Sequence, residues 1–388
     1  MEITAYIPFL LCAALILYVV FGYPLLMNLM GRRRDRAVMK RPYFPKVSVV
    51  LPVRDGAEWI EAKLHSLLGL IYPRDLIEIL VVSDGSVDGT DEIVRQYAID
   101  GVQLIRIARS GKASALNAGM ARARGEILFF TDVRQTLDRN CLERLTRCFA
   151  DESVGVVSGE LVLQEAQDQG QGKVGLYWRY EKWIRARQSA LDSVLGATGC
   201  IYAIRKSLVL PLPADTLLDD VYLPLAAFFR GYRVILENSA RAYDTPAALP
   251  TEFLRKVRTL AGVYQIVRTY PQLLTFRNRM WVHFMSHKLG RLMLPHAMIV
   301  MAVSAFALPE AWRILAVGGQ GLFYACALAD RWVPESWRAK SATSSARAFV
   351  VLVTAAFCAV PAFLFGNLDV WTPARMRPAT RNPQTQLQ

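Results

Sequence analysis

Five short apolar runs, rich in β-branched residues, constrain this chain more than any other feature. They read "KVSVVLP" from Lys46, "IEILVVSD" from Ile77, "VQLIRIA" from Val102, "EILFFTD" from Glu126 and "VGVVSGELVL" from Val154. Runs this continuous have no face set aside for water, so they fit strands of a sheet covered on both sides. Between them, Ala57–Gly69, Asp88–Ala98 and Lys112–Arg124 carry helix-like spacing. The last is followed by Gly125, a residue favoured just past a helix end. This alternation, from Pro45 to about Leu249, predicts an α/β domain with a mostly parallel central sheet and helices on both faces. Ligands of such sheets bind beyond the carboxyl ends of the strands. Asp84 and Asp132 both stand there.

The flanks are of another kind. The run from Tyr6 to Met30 holds no charged residue and is followed by Arg32, Arg33, Arg34 and Arg36. It is long enough to cross a hydrocarbon core of ~30 Å. A hydrophobic share of 53% and a mean hydropathy of +0.23 also exceed what an ordinary soluble enzyme carries. The basic cluster keeps the following domain cytoplasmic by the positive-inside rule, so the run reads as a membrane anchor; a bacterial inner (plasma) membrane is the expected location. A cleaved leader is disfavoured, because the basic residues follow the apolar run and no small-residue cleavage site is evident.

Residues 271–291 mix Trp281, Phe284 and Met285 with Arg277, Arg279, His287, Lys288 and Arg291. The mixture fits a helix lying in the membrane interface, or one packed on the soluble domain. Apolar runs near Leu292–Leu308, Ile314–Ala329 and Phe349–Phe365 predict three further crossings within 292–366. Four crossings would leave the tail at 367–388, with Arg375, Arg377 and Arg381, on the outer side against the charge rule. The domain reading is therefore an anchor at 1–31, an α/β domain at 45–270, an interfacial region, C-terminal membrane helices and a polar tail. Six scattered cysteines read as free thiols in a reducing compartment. The net charge of +13 suits anionic lipid or phosphorylated substrates. Nucleic acid is set aside, since the excess gathers near the apolar segments and no nucleic-acid-binding module is evident.

Four stretches carry chemistry. In "VVSDGSVDGT" a strand ends at Asp84, which can accept hydrogen bonds from a nucleoside or can belong to an ordinary βα turn. In "RSGKASALNAG", Lys112 stands at a helix start, a natural place for phosphate; the spacing is not that of a Walker loop. "TLLDDVYL" opens a helix with Asp219 and Asp220. They are either a charged first turn matched to the helix dipole or the source of a base for an acceptor hydroxyl. "EFLRKVRT" places Arg255, Lys256 and Arg258 where a helix could clamp a leaving diphosphate.

In order and spacing these stretches resemble the membrane-bound glycosyltransferases of family 2, relatives of the cellulose, hyaluronan and chitin synthases. The likeness covers roughly Pro45 to Tyr270. It implies a GT-A nucleotide-sugar-binding domain and inverting transfer from a nucleotide sugar, commonly UDP-linked. "LPVRDGAE" resembles the first nucleotide loop and assigns Pro52, Arg54 and Asp55 to the donor, with Asp55 where Asn is usual. Asp84, Lys112 and Arg258 are assigned to the donor as well. Asp220 is the implied catalytic base, with Asp219 and Gly199 on the acceptor side. Arg255 stands where the family's Gln-x-x-Arg-Trp motif has Gln, and Thr259 where it has Trp, which weakens any reading as a maker of long polymers. Trp178, in the aromatic and basic stretch "GLYWRYEKWIRARQSA", is placed on the acceptor border. The other partners expected are a bilayer and a lipid-linked or glycan acceptor.

"FFTDVRQ" occupies the family's Asp-x-Asp position. Asp132 is its first acid, and Arg134 replaces the second, the usual metal ligand. Two chemistries stay open. Asp132 and water hold Mg²⁺ or Mn²⁺, or Arg134 replaces the ion in part or whole through bidentate contacts to phosphate. The competing function is a scaffold or regulatory subunit that binds a nucleotide sugar without turnover. A dinucleotide oxidoreductase is disfavoured, since no G-x-G-x-x-G follows the first strand.

Overall fold

The computed structural model describes residues 2–30, 36–163, 176–245, 249–334 and 336–366. Eight strands form one sheet: β1 (Val47–Val53), β2 (Ile77–Asp84), β3 (Val102–Ile107), β4 (Ile127–Phe130), β5 (Thr136–Leu137), β6 (Val154–Leu163), β7 (Tyr202–Arg205) and β8 (Arg233–Asp244). Their spatial order is β3-β2-β1-β4-β7-β6-β8-β5. All five apolar runs of the sequence are strands. The first four of the spatial order are parallel, as expected. Beyond β4 the sheet is mixed: β7 runs antiparallel to both β4 and β6, β8 is parallel to β6, and β5 is antiparallel to β8.

The buried side chains fall into two layers, one on each face of the sheet. Along β1 and β4, Val49, Leu51 and Phe129 belong to one layer, and Val50, Leu128 and Phe130 to the other. This is the period-two alternation of strands. The first layer is closed by the helix Ala57–Leu68 and by Cys141–Thr146. The second is closed by the helices Lys112–Arg122, Asp219–Phe229 and Leu249–Thr269. It also takes in Phe284 and Leu292 of the segment that follows.

Chain order places the crevice. From β1 the chain builds outward through β2 to β3, then returns to add β4 on the opposite edge of β1. The β1/β4 boundary is therefore a topological switch point, where ligands of open sheets bind. Antiparallel pairing of Phe130 with Tyr202 then brings the residues just before β7, Gly199 among them, to the carboxyl end of β4.

Among the described residues three helices are long and apolar enough to cross a membrane: Tyr6–Met30, Trp281–Ala307 and Ala339–Phe365. The boundary expected near residue 291 is not a break, because a single helix runs from Trp281 to Ala307. The helix Glu310–Ala329, read from sequence as a crossing, is not one of the three. It packs beside Ala339–Phe365, with Phe323 edge-on to Phe349 at 5.8 Å. The anchor is tied to the α/β domain by specific bonds. Tyr23 Oη meets His283 Nδ1 at 3.1 Å and accepts from Gln188 Nε2 at 2.9 Å. The arginines at 32–34 and the tail at 367–388 lie outside the described residues.

Candidate functional site

The loops after β1 and β2 hold each other. Gly56 N donates to Thr90 Oγ1 at 2.9 Å, Ala57 N to Asp88 Oδ2 at 2.9 Å, and Val87 N to Asp55 Oδ1 at 3.0 Å. Asp55 adopts φ 48°, a left-handed conformation that Asp and Asn tolerate better than most residues. Arg54 lies beside it, its Nε 3.9 Å from Asp55 Oδ2. Pro52 is buried within β1. Pro52, Arg54 and Asp55 thus stand together at the carboxyl end of β1.

Asp84, the expected nucleoside contact, ends β2. It is fully buried, and its carboxylate accepts from Ser110 N at 2.6 Å and from Gly111 N at 3.0 Å. That bond fixes the loop in front of Lys112, with Gly111 at φ 94°, a backbone state that costs glycine nothing. Asp84 thus shapes the site by holding the residue that faces it.

At the switch point Lys112 stands between two carboxylates. Its Nζ is 3.1 Å from Asp132 Oδ1 and 3.2 Å from Asp219 Oδ1, with the side chains of Lys112 and Asp132 still 27% and 37% exposed. Burial alone would lower the lysine; Asp132, Asp219 and Asp220 together raise it above its ordinary value. Burial pushes Asp132 up, yet Lys112 beside it holds it below the usual carboxylate range. An ammonium has three donors. Among the described residues two face carboxylates, which leaves the third for a ligand oxygen.

Asp220 is the acid whose proton affinity stands apart. Burial, and then the neighbouring Asp219 charge, push it up to about 6, against the pull of Lys112. It lies in the first turn of the helix Asp219–Phe229. There the helix dipole alone would favour the ionised form, so burial and the like charge outweigh it. Gly199 is pressed against it, since a Cβ there would lie 3.1 Å from Asp220 Oδ2. Lys112, Asp132, Gly199, Asp219, Asp220, Arg255 and Arg258 share one cavity of ≈ 370 Å³. Trp178 belongs to the helix Leu176–Leu191, but its side chain lies outside the described residues.

Sequence reasoning passed over two residues. Lys63 is buried in the helix Ala57–Leu68, donating to Thr131 Oγ1 at 2.6 Å and to the Gln135 carbonyl at 2.7 Å. It therefore braces the turn that carries Asp132. Burial lowers it to about 8. The signal was present: Ile60, Lys63, Leu64 and Leu67 share the buried face, so a lysine interrupts an apolar stripe. The second is Asp244, at the end of β8. It pairs with Arg134 and accepts from Gln135 Nε2 at 2.8 Å.

A profile described as Glycosyl transferase family 2 matches residues 48–210. Residues 48–210 are, by that match, a family 2 glycosyltransferase domain. The chain is 27% identical over 202 residues to the probable glycosyltransferase YdaM of Bacillus subtilis, a match covering 49% of this chain and 48% of that protein. Glycosyltransferase AglE of Haloferax volcanii is 37% identical over 120 residues, covering 30% of this chain and 40% of AglE. The chain thus spans about half the length, or less, of these curated relatives. In three dimensions it resembles the mannosyltransferase PcManGT from Pyrobaculum calidifontis, solved in complex with GDP-Man and Mn²⁺. The TM-score is 0.73 at 22% identity, over 93% of this chain and 99% of that one. At that identity the likeness establishes the fold, which is GT-A.

The family's metal can be tested against the residues present. Asp132 is engaged by Lys112. Where a second acid would stand, Arg134 brings a guanidinium already paired with Asp244. Among the described residues no three His, Cys, Asp or Glu side chains gather as a metal-holding set. A hard divalent ion wants several oxygen ligands converging on one point. The described residues thus offer no preformed set of that kind, and Lys112 is a cation that faces the crevice beside Asp132.

Proposed function

We propose that this family 2 glycosyltransferase domain moves a sugar from a nucleotide donor, a UDP-sugar, to the hydroxyl of a membrane-proximal acceptor, with inversion at the anomeric carbon. The observation that carries the reading is Asp220. It is a carboxylate poised near 6 by burial and by Asp219, in the same cavity as a lysine and an arginine that suit a diphosphate.

The nucleoside lies along the ends of β1 and β2, near Pro52, Arg54 and Asp55. Its diphosphate takes the free donor of Lys112 and the Arg258 guanidinium, whose charge is felt at Asp132. The sugar enters the cavity beside Gly199. The acceptor oxygen attacks the anomeric carbon from the face opposite the diphosphate, and its proton passes to Asp220. The bond to the leaving phosphate breaks, and its electron pair departs with the nucleoside diphosphate, stabilised by fixed cations. One displacement inverts the centre. Because the leaving group is already activated, a second carboxylate acting as nucleophile is not needed. Arg134, held by Asp244, shapes the turn after β4, and the charge expected of a metal falls to Lys112. The catalytic domain is placed on the cytoplasmic side of a bacterial inner membrane, building envelope glycan or glycolipid.

The test is release of nucleotide from a panel of UDP- and GDP-sugars by the purified, detergent-solubilised full chain, with the product anomer assigned by NMR. Nucleotide release with an inverted product supports the reading. Donor binding without release, in the presence of membrane extract, supports the scaffold instead.

A further inference from the structure

The cavity that begins at Lys112 and Asp132 does not stop at Asp220. It runs on to Arg185 on the helix Leu176–Leu191 and to Phe284, His287 and Lys288 on the helix Trp281–Ala307. Pro52, Arg54, Asp55 and Asp84 do not line it, so the space past Asp220 lies on the acceptor side.

Charge changes sign along this path. Asp132, Asp219 and Asp220 surround a single lysine at the near end. At the far end both acids are already matched: Glu160 by Lys182 at 2.9 Å, and Glu181 by Arg291 at 2.8 Å, with His287 at 3.3 Å. Burial pushes Glu181 up, and Arg291 still holds it well below the usual carboxylate range. Among the described residues two cations form no ion pair of their own, although each feels the Glu181 charge. Arg185 donates to neutral oxygens, at Thr198 Oγ1 (3.1 Å), Ser158 Oγ (3.3 Å) and the Gly196 carbonyl (3.3 Å). Lys288 makes no hydrogen bond or ion pair among the described residues, and its charge reaches Asp220. Both are half-buried. Cations outnumber acids at this end, and partly burying that excess of positive charge is costly unless an anion joins it.

A hydroxyl-only sugar acceptor leaves that cost uncompensated. Lys288 stands on a helix able to cross the membrane, so an anion reaching it is most directly delivered by the membrane itself. We propose that the acceptor is a phosphorylated lipid, whose phosphate is held by Lys288 and Arg185 while a separate hydroxyl of the same molecule faces Asp220. The phosphate does not react. An ionised phosphate oxygen acting as nucleophile would have no proton for Asp220 to take, so the base assigns attack to a hydroxyl. The new bond joins that oxygen to the anomeric carbon, the proton goes to Asp220, and the nucleoside diphosphate leaves as before. The inference rests on the transfer reading above and names its acceptor.

The experiment incubates the detergent-solubilised full chain with radiolabelled UDP- and GDP-sugars. Acceptors are the total lipid of the membranes from which it is purified, split by anion exchange into acidic and neutral fractions, with glycerol phosphate as a water-soluble phosphate ester. Label is expected in the acidic fraction, in a product that contains phosphorus. Lys288→Gln is expected to raise the half-saturating concentration of acidic lipid about tenfold or more, as for loss of a charged hydrogen bond, and Lys288→Arg to restore it. Arg185→Gln is expected to act in the same direction, and gives a second reading should Lys288→Gln not fold. Label in neutral lipid, in an acidic lipid without phosphorus or in glycerol phosphate overturns the proposal, as does label in no lipid fraction or indifference to both variants. Donor binding is measured alongside by calorimetry. A chain that binds no nucleotide sugar fails the transfer reading, whereas turnover onto a neutral acceptor fails only this inference.

Discussion

Asp220 and Gly199 form a contact with no slack. The added methyl of Gly199→Ala falls 3.1 Å from Asp220 Oδ2, so the carboxylate must give by a few tenths of an ångström. Nucleotide release is expected to fall by about tenfold, less than the ~10²-fold that a full ångström of misplacement costs, with circular dichroism unchanged. Wild-type turnover by this variant would contradict the placement. Lys63 makes a different demand. Lys63→Met leaves Thr131 Oγ1 and the Gln135 carbonyl short of a buried donor, at about 1–3 kcal/mol for each oxygen left unpaired. Denaturant unfolding should register the loss. Sequence reading singled out Asp220, Lys112 and Asp132 because each stands at a strand end or helix start, where type and position together carry meaning. It did not anticipate that Asp84 would bond the backbone of Ser110 and Gly111, because burial of one carboxylate depends on a loop 26 residues away.

The turn between β4 and β5 is the element on which the metal question rests. Its Arg134 is paired with an acid 110 residues later in sequence, a contact that exists only because β8 lies beside β5. No local pattern carries that information, so the pairing of Arg134 with Asp244 was not among the two chemistries the sequence left open. Asp244→Asn is expected to cost about 1–3 kcal/mol in unfolding free energy through loss of a charged hydrogen bond. It should also lower turnover by loosening the turn that carries Asp132; an unchanged unfolding midpoint would contradict the pairing. The parallel half of the sheet was legible because its strands are continuous apolar runs. β8 was not, since Arg233, Glu237 and Arg241 interrupt it. Those side chains find partners across the fold instead, as when Arg233 Nε donates to the Asp192 carbonyl at 3.0 Å.

At the scale of the whole molecule, the catalytic crevice and the membrane helices are one construction. Glu181 of the α/β domain is matched by Arg291, Tyr18 of the anchor meets Ser286 at 2.7 Å, and the helix Leu249–Thr269 packs along Ala339–Phe365, with Tyr264 stacked on Phe363 at 5.6 Å. Reading by composition separated the basic residues near 281–291 from the membrane run after them. The structure joins them, with Arg279 paired to Asp192 and Arg291 to Glu181 of the α/β domain. With Lys112 as the cation at the crevice, excess EDTA is expected to leave nucleotide release largely unchanged. Lys112→Ala should lower it by about 10²-fold or more, the scale of removing a preorganised donor from a developing anion. Activity abolished by EDTA and restored by Mn²⁺ would contradict that assignment.

The central claim is that ionised Asp220 takes the acceptor proton. It is tested most directly by kcat/KM for nucleotide release between about pH 5 and pH 8, in wild type and in Asp220→Asn. Because burial raises Asp220 to about 6, the acid is protonated and inactive below that pH. The wild-type rate should climb about tenfold per pH unit up to near 6 and then level off. Asp220→Asn should bind donor yet lose about 10²- to 10⁴-fold in turnover, with the acid limb gone. A wild-type rate that is flat through pH 6, or an Asp220→Asn enzyme as fast as the parent, would contradict the account.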